Sequence, residues 1–271
     1  MFKEITISTL GELIDKGTPT QRDPASGRHR NYSIYRGVGR EEGSLLTSLD
    51  RLGGTNPPHS KAHLEEHILR NFIRYAPPFL NAERVNDWEL VITAQHHGVP
   101  TRLLDWTYSP LIAAHFATLR QNCDSPRIIW QLDWRALHEY FKLKPLAFLV
   151  SDLDDLLREK GIASMWDFLD EKNYALDLFI CMLEPPAIDH RIVAQSAAFT
   201  LSSTKRQSFD QLLLQCGLQH TLTKFVIKEE CVSRIRDQLD LCTIDERRLF
   251  PDLDGIASEL RRYYAASVEN A

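Results

Sequence analysis

The chain has 271 residues, with 32 lysine and arginine residues against 37 aspartate and glutamate residues, so its formal net charge is −5. A hydrophobic share of 43% with 25% charged residues is typical of a packed globular protein and excludes an intrinsically disordered one. The mildly acidic balance argues against a protein that binds nucleic acid over its whole surface, because such a surface needs an excess of positive charge.

The cysteines and the apolar segments indicate the cellular compartment of the protein. The cysteines are odd in number and far apart, which is typical of reduced thiols and not of a disulfide or zinc framework; they are Cys123, Cys181, Cys216, Cys231 and Cys242. The first residues lack the basic stretch and long apolar run of a signal peptide, and no apolar stretch is long enough to predict a membrane span. We therefore expect a soluble, cytoplasmic protein without membrane contact.

The first part of the chain predicts two strands and two helices. Residues 2–8 resemble a short strand, and residues 9–17 place leucine and isoleucine at helical spacing before a glycine stop. Residues 17–31 are rich in turn formers and charge and predict a loop, which leads into a strand over 31–37. Residues 59–75 predict a helix that ends before two prolines; its expected buried face carries Leu64, Ile68, Phe72 and Tyr75.

The rest of the chain mixes helices with apolar, β-prone segments. Further helices are predicted over about 87–97, 109–121, most of 134–175, 231–240 and 254–265. Strands are predicted over 127–133, 177–185, 191–201 and 224–230. Strands separated by helices of uneven length, without a regular βαβ rhythm, predict an α+β architecture, which we take as one domain over 1–271.

The stretch 95–117, QHHGVPTRLLDWTYSPLIAAHFA, crowds polar side chains around a strand-to-helix corner. Ser109 and Pro110 suit the N-cap and first position of a helix, and such a corner can offer backbone N–H groups to an anionic ligand. The candidate binding residues of this corner are His96, His97, Arg102, Asp105, Trp106 and Thr107. The alternative is that Arg102 and Asp105 form a buried ion pair that locks the corner, with Trp106 in the core.

A second candidate feature is Tyr35-Arg36-Gly37 at the end of a predicted strand. The planar guanidinium of Arg36 suits a phosphate or carboxylate, and Gly37 would let a ligand approach the backbone. The alternative is a surface arginine beside a turn glycine. A basic patch that could contact nucleic acid is formed in the sequence by Arg22, Arg28, Arg30, Arg36 and Arg40.

These features resemble the FRG domain family, which is named for its Phe/Tyr-Arg-Gly motif. The resemblance rests on YRG at 35–37, the block at 95–117, RIVAQSAAFT at 191–200 and LFPDLDGIA at 249–257, in the order of the family, and spans about residues 2–262. The motif order is also similar to ADP-ribosyltransferases of the Arg-Ser-Glu type. That resemblance implies a mixed, mostly antiparallel sheet with flanking helices, and NAD as co-substrate.

The transferase resemblance implies a set of site residues. Arg36 would hold the NAD phosphates or ribose, Asp105-Trp106-Thr107 would replace the Ser-Thr-Ser strand, and Gln195 would stand where a catalytic glutamate is expected. The implied NAD-binding set is Tyr35, Arg36, Gly37, His96, His97, Arg102, Trp106, Thr107 and Phe199, with Arg36, Asp105 and Gln195 as catalytic candidates. An unknown protein or nucleic acid would be the acceptor.

The neutral side chain of Gln195 bears on whether this resemblance implies catalysis or only binding. Breaking the nicotinamide–ribose bond creates an oxocarbenium-like centre, which a carboxylate stabilises and a neutral amide does not. Either another carboxylate such as Asp105 or Glu184 supplies the charge, or the domain binds a nucleotide without cleaving it. Gln195 could instead be a strand glutamine that hydrogen-bonds a neighbouring loop. The alternative function is a non-catalytic protein- or ligand-binding module with an ion-paired core.

Two weaker motifs are predicted to have structural and not catalytic or metal-binding roles. His63, Glu66 and His67 match the H-x-x-E-H pattern of inverted zincins, but no third ligand is evident, so we expect a solvated helix face and no metal. The segment LFPDLDG is expected to be a docking turn, in which Phe250 packs and an aspartate caps the last helix. A P-loop, a dinucleotide fingerprint and a serine-nucleophile elbow are all missing from the sequence.

Overall fold

One mixed sheet organises the computed structural model, which describes residues 1–19, 22–39, 44–52, 60–79, 86–119, 127–170, 178–204 and 207–265. Its strands are β1 (Lys3–Ile7), β2 (Ser33–Val38), β3 (Leu104–Thr107), β4 (Arg127–Asp133), β5 (Ile180–Leu183), β6 (Ala197–Ser202) and β7 (Leu222–Ile227). They lie in the order β1-β7-β4-β2-β3-β6-β5. Within these described strands β1 and β7 run parallel and every other neighbouring pair is antiparallel, which confirms the predicted α+β class.

Helices cover both faces of this sheet. They are α1 (Leu10–Gly17), α2 (Lys61–Tyr75), α3 (Asp87–His96), α4 (Pro110–Thr118), α5 (Trp134–Tyr140), α6 (Val150–Glu159), α7 (Met165–Leu169), α8 (His190–Ala194), α9 (Phe209–Gln215), α10 (Val232–Leu241), α11 (Glu246–Leu249) and α12 (Leu253–Tyr263). The predicted start of α4 is confirmed, because Ser109 accepts a hydrogen bond from the Ile112 backbone N–H and Pro110 follows it. In the described part of the chain, no helix is long and apolar enough to cross a membrane.

The buried side chains form three clusters around the sheet. One packs α1, α4 and α10 on the face that carries Tyr35 and Phe225. A second joins α5 and α9 to the side chains of Trp106 and Trp130. The third joins α2, α3, α6 and α7 to β5 and β6. The strands that carry the sequence motifs, β2 and β3, are therefore central strands held on both sides.

The segment 191–201 corrects the sequence prediction, because only its second half is a strand. Asp189 caps α8 by accepting a hydrogen bond from the Arg191 backbone N–H, and β6 begins only at Ala197. Ser196 turns the chain between them with a φ of 45°. A five-residue helix rich in β-branched residues has the composition of a strand, which explains the wrong prediction.

The buried face of α2 also differs from the predicted one. Its buried residues are Ala62, Glu65 and Leu69, while Tyr75 is 63% exposed. The helix is rotated toward Glu65, since that carboxylate has a buried arginine partner in the loop before β3. Apolar spacing alone cannot detect such a partner.

Helix packing alone requires a glycine at position 37. A Cβ atom at this position would lie 1.9 Å from the Ala113 carbonyl oxygen and 2.5 Å from the Ala117 nitrogen, both on α4. The close approach of α4 to β2 therefore requires a glycine, while the expected role of Gly37 in admitting a ligand stays a prediction. Parts of several predictions lie outside the described residues, at 20–21, 40, 59, 120–121, 123, 171–177 and 266–271.

Candidate functional site

A cavity of about 340 Å³ opens where the ends of β2 and β3 meet α3, α8 and the turn after α11. Its volume lies within the range of small-molecule sites. The lining residues are Tyr35, Arg36, Gly37, Gln95, His96, Asp105, Trp106, Thr107, Phe116, Arg191, Ile192, Gln195, Ala197, Phe199 and Phe250. The three catalytic candidates, Arg36, Asp105 and Gln195, thus reach one cavity, whereas His97 and Arg102 do not line it.

Arg36 forms a cationic wall of this cavity. Its Nη1 donates hydrogen bonds to the Asp105 carbonyl oxygen at 2.7 Å and to Asp105 Oδ2 at 3.2 Å. The side chain is 15% exposed, and its buried Nε makes no hydrogen bond within the described residues. Because arginine has five N–H donors, a guanidinium held through Nη1 keeps donor capacity for an anionic ligand.

Asp105 presents a carboxylate that is oriented from two sides. Besides the contact with Arg36, its Oδ1 accepts a hydrogen bond from Gln95 Nε2 at 2.7 Å. Gln95 is itself fixed, because its Oε1 accepts from Thr101 Oγ1 at 2.7 Å and from Ser48 Oγ at 3.1 Å. The Asp105 side chain is still 47% exposed. It is therefore both positioned and accessible.

The expected ion pair between Arg102 and Asp105 is wrong in its partner. Arg102 pairs instead with Glu65, from Nε to Oε2 at 2.7 Å, and both side chains are almost completely buried. The Arg102 backbone N–H also donates to Glu65 Oε1 at 2.7 Å, and the guanidinium lies 4.7 Å from the ring centroid of Phe168. Arg102 therefore joins α2 to the corner, away from the cavity.

The aromatic residues of the two motifs belong mainly to the core. Trp106 is 3% exposed, its Nε1 donates to Thr200 Oγ1 at 3.0 Å, and its ring packs edge-on against Phe209. The Tyr35 hydroxyl accepts hydrogen bonds from Asn31 and Gln131 in the interior. The alternative that placed Trp106 in the core agrees with this burial, while its expected role in binding stays a prediction, since Trp106 also lines the cavity.

Gln195 lies at the end of α8 and not on a strand, and its side chain is committed to a neighbouring turn. Its Nε2 donates a hydrogen bond to the Leu249 backbone carbonyl oxygen at 3.0 Å. The backbone carbonyl oxygen of Gln195 accepts a hydrogen bond from Thr107 Oγ1 at 2.7 Å. The alternative interpretation of Gln195 is thus correct about the loop contact and wrong about the strand. Gln195 ties β3 and the turn after α11 to the cavity wall.

The other candidate carboxylate, Glu184, does not line the cavity. It accepts a hydrogen bond from the Tyr108 hydroxyl. Burial, together with this carboxylate, raises the pKa of Tyr108 above its ordinary value, so the phenol stays protonated as the donor. Within the described residues, Asp105 is the carboxylate available to a ligand in the cavity.

His96 adds an imidazole to the same wall. Its Nε2 lies 3.1 Å from Asp189 Oδ1, and its side chain is 12% exposed. Its ring contacts that of His97 edge-on, with centroids 5.4 Å apart. Burial lowers the pKa of His96, with further lowering by His97 and Arg191 that the Asp189 carboxylate opposes.

Sequence reasoning missed Arg191, Phe116 and Phe250 as cavity residues. The Arg191 guanidinium bonds Asp252 and lies 5.5 Å from the ring centroid of Phe250, which in turn packs edge-on against Phe116. Asp252 also caps α12, as the sequence predicted. The signal was the segment LFPDLDG itself, but its position beside the cavity follows only from tertiary packing.

The remaining motifs lie on exposed surface. On α2, His63 and His67 are exposed, and Glu66 pairs with Arg70 at 2.7 Å. Across the described ranges, no three histidine, cysteine, aspartate or glutamate residues are grouped so as to hold a metal ion. Of the expected basic patch, Arg28 and Arg30 are exposed, whereas Arg36 turns into the cavity.

The comparison with protein families identifies part of the chain. Residues 31–125 match the sequence model of the FRG domain, about a third of the chain, and include Arg36, His96 and Asp105. Residues 31–125 are thus similar to the FRG domain, as the motifs indicated. No curated protein and no solved structure matches the chain significantly.

Proposed function

We propose that the cavity binds NAD or a closely related nucleotide, and that the domain transfers ADP-ribose from it. The observation that carries the proposal is the convergence of Arg36 and Asp105, distant in sequence, in one cavity, with Arg36 Nη1 3.2 Å from the Asp105 carboxylate. Guanidinium groups suit a pyrophosphate, and an oriented carboxylate suits a sugar that becomes positively charged. Arg36 and Arg191 supply the guanidinium groups, and Asp105 supplies the carboxylate.

The roles differ from those that the motif order implied. Asp105 takes the part expected of the residue at 195, because the Gln195 amide is neutral and is bonded to Leu249. Arg36 holds the carboxylate in place and offers its remaining N–H groups to the nucleotide. Arg191, on the opposite segment, offers a second cation, 33% exposed, at the same cavity.

Calorimetric titration with NAD tests the binding step. Arg36→Gln is expected to weaken binding about 10- to 100-fold, since a hydrogen bond to a charged group contributes about 1.5–3 kcal/mol. Arg158→Gln is the matched control, because Arg158 lies on exposed surface of α6 and pairs only with a neighbouring helix residue. A wild-type protein without saturable binding, or an Arg36→Gln variant that binds equally well, would contradict the proposal.

Nicotinamide release, followed by chromatography, tests the transfer step. Asp105→Asn keeps the shape and the bond from Gln95 but removes the negative charge, so release is expected to fall by about 100-fold or more while NAD still binds. Thermal unfolding of each variant checks that the fold is retained. Release at the wild-type rate would remove Asp105 from the mechanism.

The Arg36–Asp105 ion pair also fits a second candidate function, a non-catalytic ligand- or protein-binding module. In that case the pair is structural, and NAD neither binds nor loses nicotinamide. Arg36→Gln would then lower the melting temperature without any nucleotide affinity to lose. The same titration and thermal measurements distinguish the two candidates.

A further inference from the structure

A second polar pair faces the cavity and has no part in the function proposed above. His96 is the last residue of α3, and Asp189 is the N-cap of α8. Their Nε2 and Oδ1 atoms lie 3.1 Å apart. His96 lines the cavity, and its contact with Asp189 is made through Nε2 and not through Nδ1. Two helices from distant parts of the chain thus join an imidazole to a carboxylate at the site.

The carboxylate determines which ring nitrogen carries the proton. Asp189 Oδ1 also accepts a hydrogen bond from the Arg191 backbone N–H at 2.7 Å, so its position is fixed by the start of α8. Burial raises the pKa of Asp189, but its hydrogen bonds to the Arg191 backbone and to His96 outweigh this and leave it below its ordinary value. An ionised Asp189 accepts a hydrogen bond from the N–H at His96 Nε2, which leaves the lone pair of the neutral ring on Nδ1.

The protonation state of His96 suits a base. Burial lowers its pKa, and the nearby charges act in opposite directions, with His97 and Arg191 lowering it and Asp189 raising it. The net shift is downward, so the ring is neutral at pH 7. A neutral imidazole that is oriented by a carboxylate is the arrangement of a general base.

We propose that His96, positioned by Asp189, is the general base that activates the acceptor at this site, and that the acceptor is a neutral hydroxyl group. The inference rests on the proposed transfer from NAD. A carboxylate acceptor needs no base, and a guanidinium acceptor would bring a third cation next to Arg36 and Arg191. A hydroxyl is neutral and becomes a strong nucleophile only when its proton is removed.

The transfer step replaces the bond between ribose and nicotinamide by a bond between ribose and the acceptor oxygen. The hydroxyl proton moves to His96 Nδ1, and the hydroxyl oxygen forms a bond to the anomeric carbon of the ribose. The bond from that carbon to nicotinamide breaks, and its electron pair neutralises the pyridinium. Asp105 stabilises the positive charge that develops on the sugar.

Nicotinamide release over a range of pH tests the inference. His96→Gln is expected to lower kcat at least about 100-fold, with NAD affinity changed little, because general bases contribute about 10²–10⁴-fold. His63→Gln is the matched control, since His63 is exposed on α2 and does not line the cavity. The wild-type kcat is expected to fall as the pH drops through the depressed pKa of His96, and His96→Gln is expected to lose this acidic limb.

Two further measurements separate the outcomes. Added methanol distinguishes the hydroxyl sources, since ADP-ribose marks attack by water and its O-methyl glycoside marks attack by an alcohol. Nitrogen NMR of histidine-labelled protein is expected to show His96 neutral with its proton on Nε2 at pH 7, a state that Asp189→Asn, which can still cap α8, should disturb.

The inference and the function it rests on fail in different ways. If the wild-type protein releases nicotinamide while His96→Gln keeps its rate and pH profile, the base is wrong and the transfer stands. NMR that finds His96 protonated at pH 7, or its proton on Nδ1, overturns the base independently of turnover. Absence of NAD binding or of nicotinamide release in the wild type overturns the acceptor mechanism together with the transfer step.

Discussion

At the scale of single residues, the Arg102–Glu65 pair is the most buried charge pair among the described residues, with both side chains at or below 1% exposure. Removing one partner leaves the other charge buried, which costs about 3–5 kcal/mol. We expect Glu65→Gln to lower the free energy of unfolding by about that amount in guanidinium titrations. The cavity of the candidate site lies elsewhere and Arg102 does not line it, so the loss is one of stability.

Glu66→Gln is the control for this prediction. Glu66 is the next residue on α2 and pairs with Arg70 one turn further on, at the surface. Exposed pairs at this spacing contribute only about 0.3–0.5 kcal/mol, so the two variants should differ by several-fold in their effect. Equal effects would mean that the interior tolerates the loss of the Glu65 charge beside Arg102.

His115 gives the protein a pH dependence. It is fully buried on α4 with Nδ1 3.1 Å from Arg236 Nη1. Burial and the charge of Arg236 lower its pKa to about 3, with Arg262 adding to this effect and Asp240 opposing it. The unfolded chain therefore binds this proton more readily than the folded one. The contribution of the neutral ring is complete above pH 6.5 and is lost as the pH falls from there toward 3.

This dependence is measurable in a variant without the ionisable ring. Between about pH 6 and 4.5, His115→Gln should reduce the slope of unfolding free energy against pH by about 1.4 kcal/mol per unit, the value for one proton. Above pH 7 the slopes of variant and wild type should agree. Parallel slopes across the acidic range would show that His115 does not carry the effect.

At the scale of elements, the contact between β2 and α4 sets the position of Arg36. The Cβ of a Gly37→Ala variant would lie 1.9 Å from a carbonyl oxygen of α4, so the helix must move. Overpacking of this kind costs about 1–3 kcal/mol or more. We expect Gly37→Ala to lower the melting temperature and, because α4 and β2 shift, also to weaken nucleotide binding.

Gly11→Ala is the matched glycine control. Gly11 lies in α1, and the nearest atom to its added Cβ is 3.8 Å away, an ordinary contact. Alanine is favoured over glycine in a helix by about 1 kcal/mol, so this variant should be as stable as the wild type or more stable. A Gly37→Ala protein of wild-type stability would mean that α4 is free to move away from the sheet.

Local signals predicted most of these elements. The cap at Ser109, the glycine that follows α3 and the apolar strands act over a few residues, and the sequence displays them directly. The prediction of a strand at α8 was wrong because Ile192 and Val193 favour a strand, although Asp189 precedes them as a residue suited to cap a helix. The buried face of α2 was predicted wrongly because the sequence does not show that Arg102 forms an ion pair with Glu65.

At the scale of the whole molecule, the candidate site was predictable in part. The motifs placed Arg36, His96 and Asp105 on strand and helix ends that could meet. Arg191 and Phe250 became cavity residues only because the chain returns to β2 and β3 near its end. Such contacts depend on sheet order and helix packing across the fold, which no local spacing encodes.

The last helix shows how such distant parts are coupled. Arg262 on α12 donates to both carboxylate oxygens of Asp240 at 2.7 and 2.8 Å and, through Nε, to Glu246, which Arg236 also contacts. Much of the apolar surface of α12 is exposed, so α12 is held by its packing against α11 and by this arginine. At its other end, α12 begins at Asp252, the partner of Arg191 in the cavity wall.

Arg262→Ala should therefore loosen α12 and reach the site. Breaking the pairs leaves two carboxylates without this partner, so amide hydrogen exchange over Leu253–Tyr263 should speed up at least about tenfold, which corresponds to 1.4 kcal/mol of lost local stability. Strands β2 and β4 should keep their protection, and Arg191, with a less fixed Asp252, should hold the nucleotide less well. Arg261→Ala, exposed on the same helix, should change neither exchange nor binding. Unchanged exchange in Arg262→Ala would mean that contacts of α12 with α11 hold it without the arginine, and that the cavity is independent of the last helix.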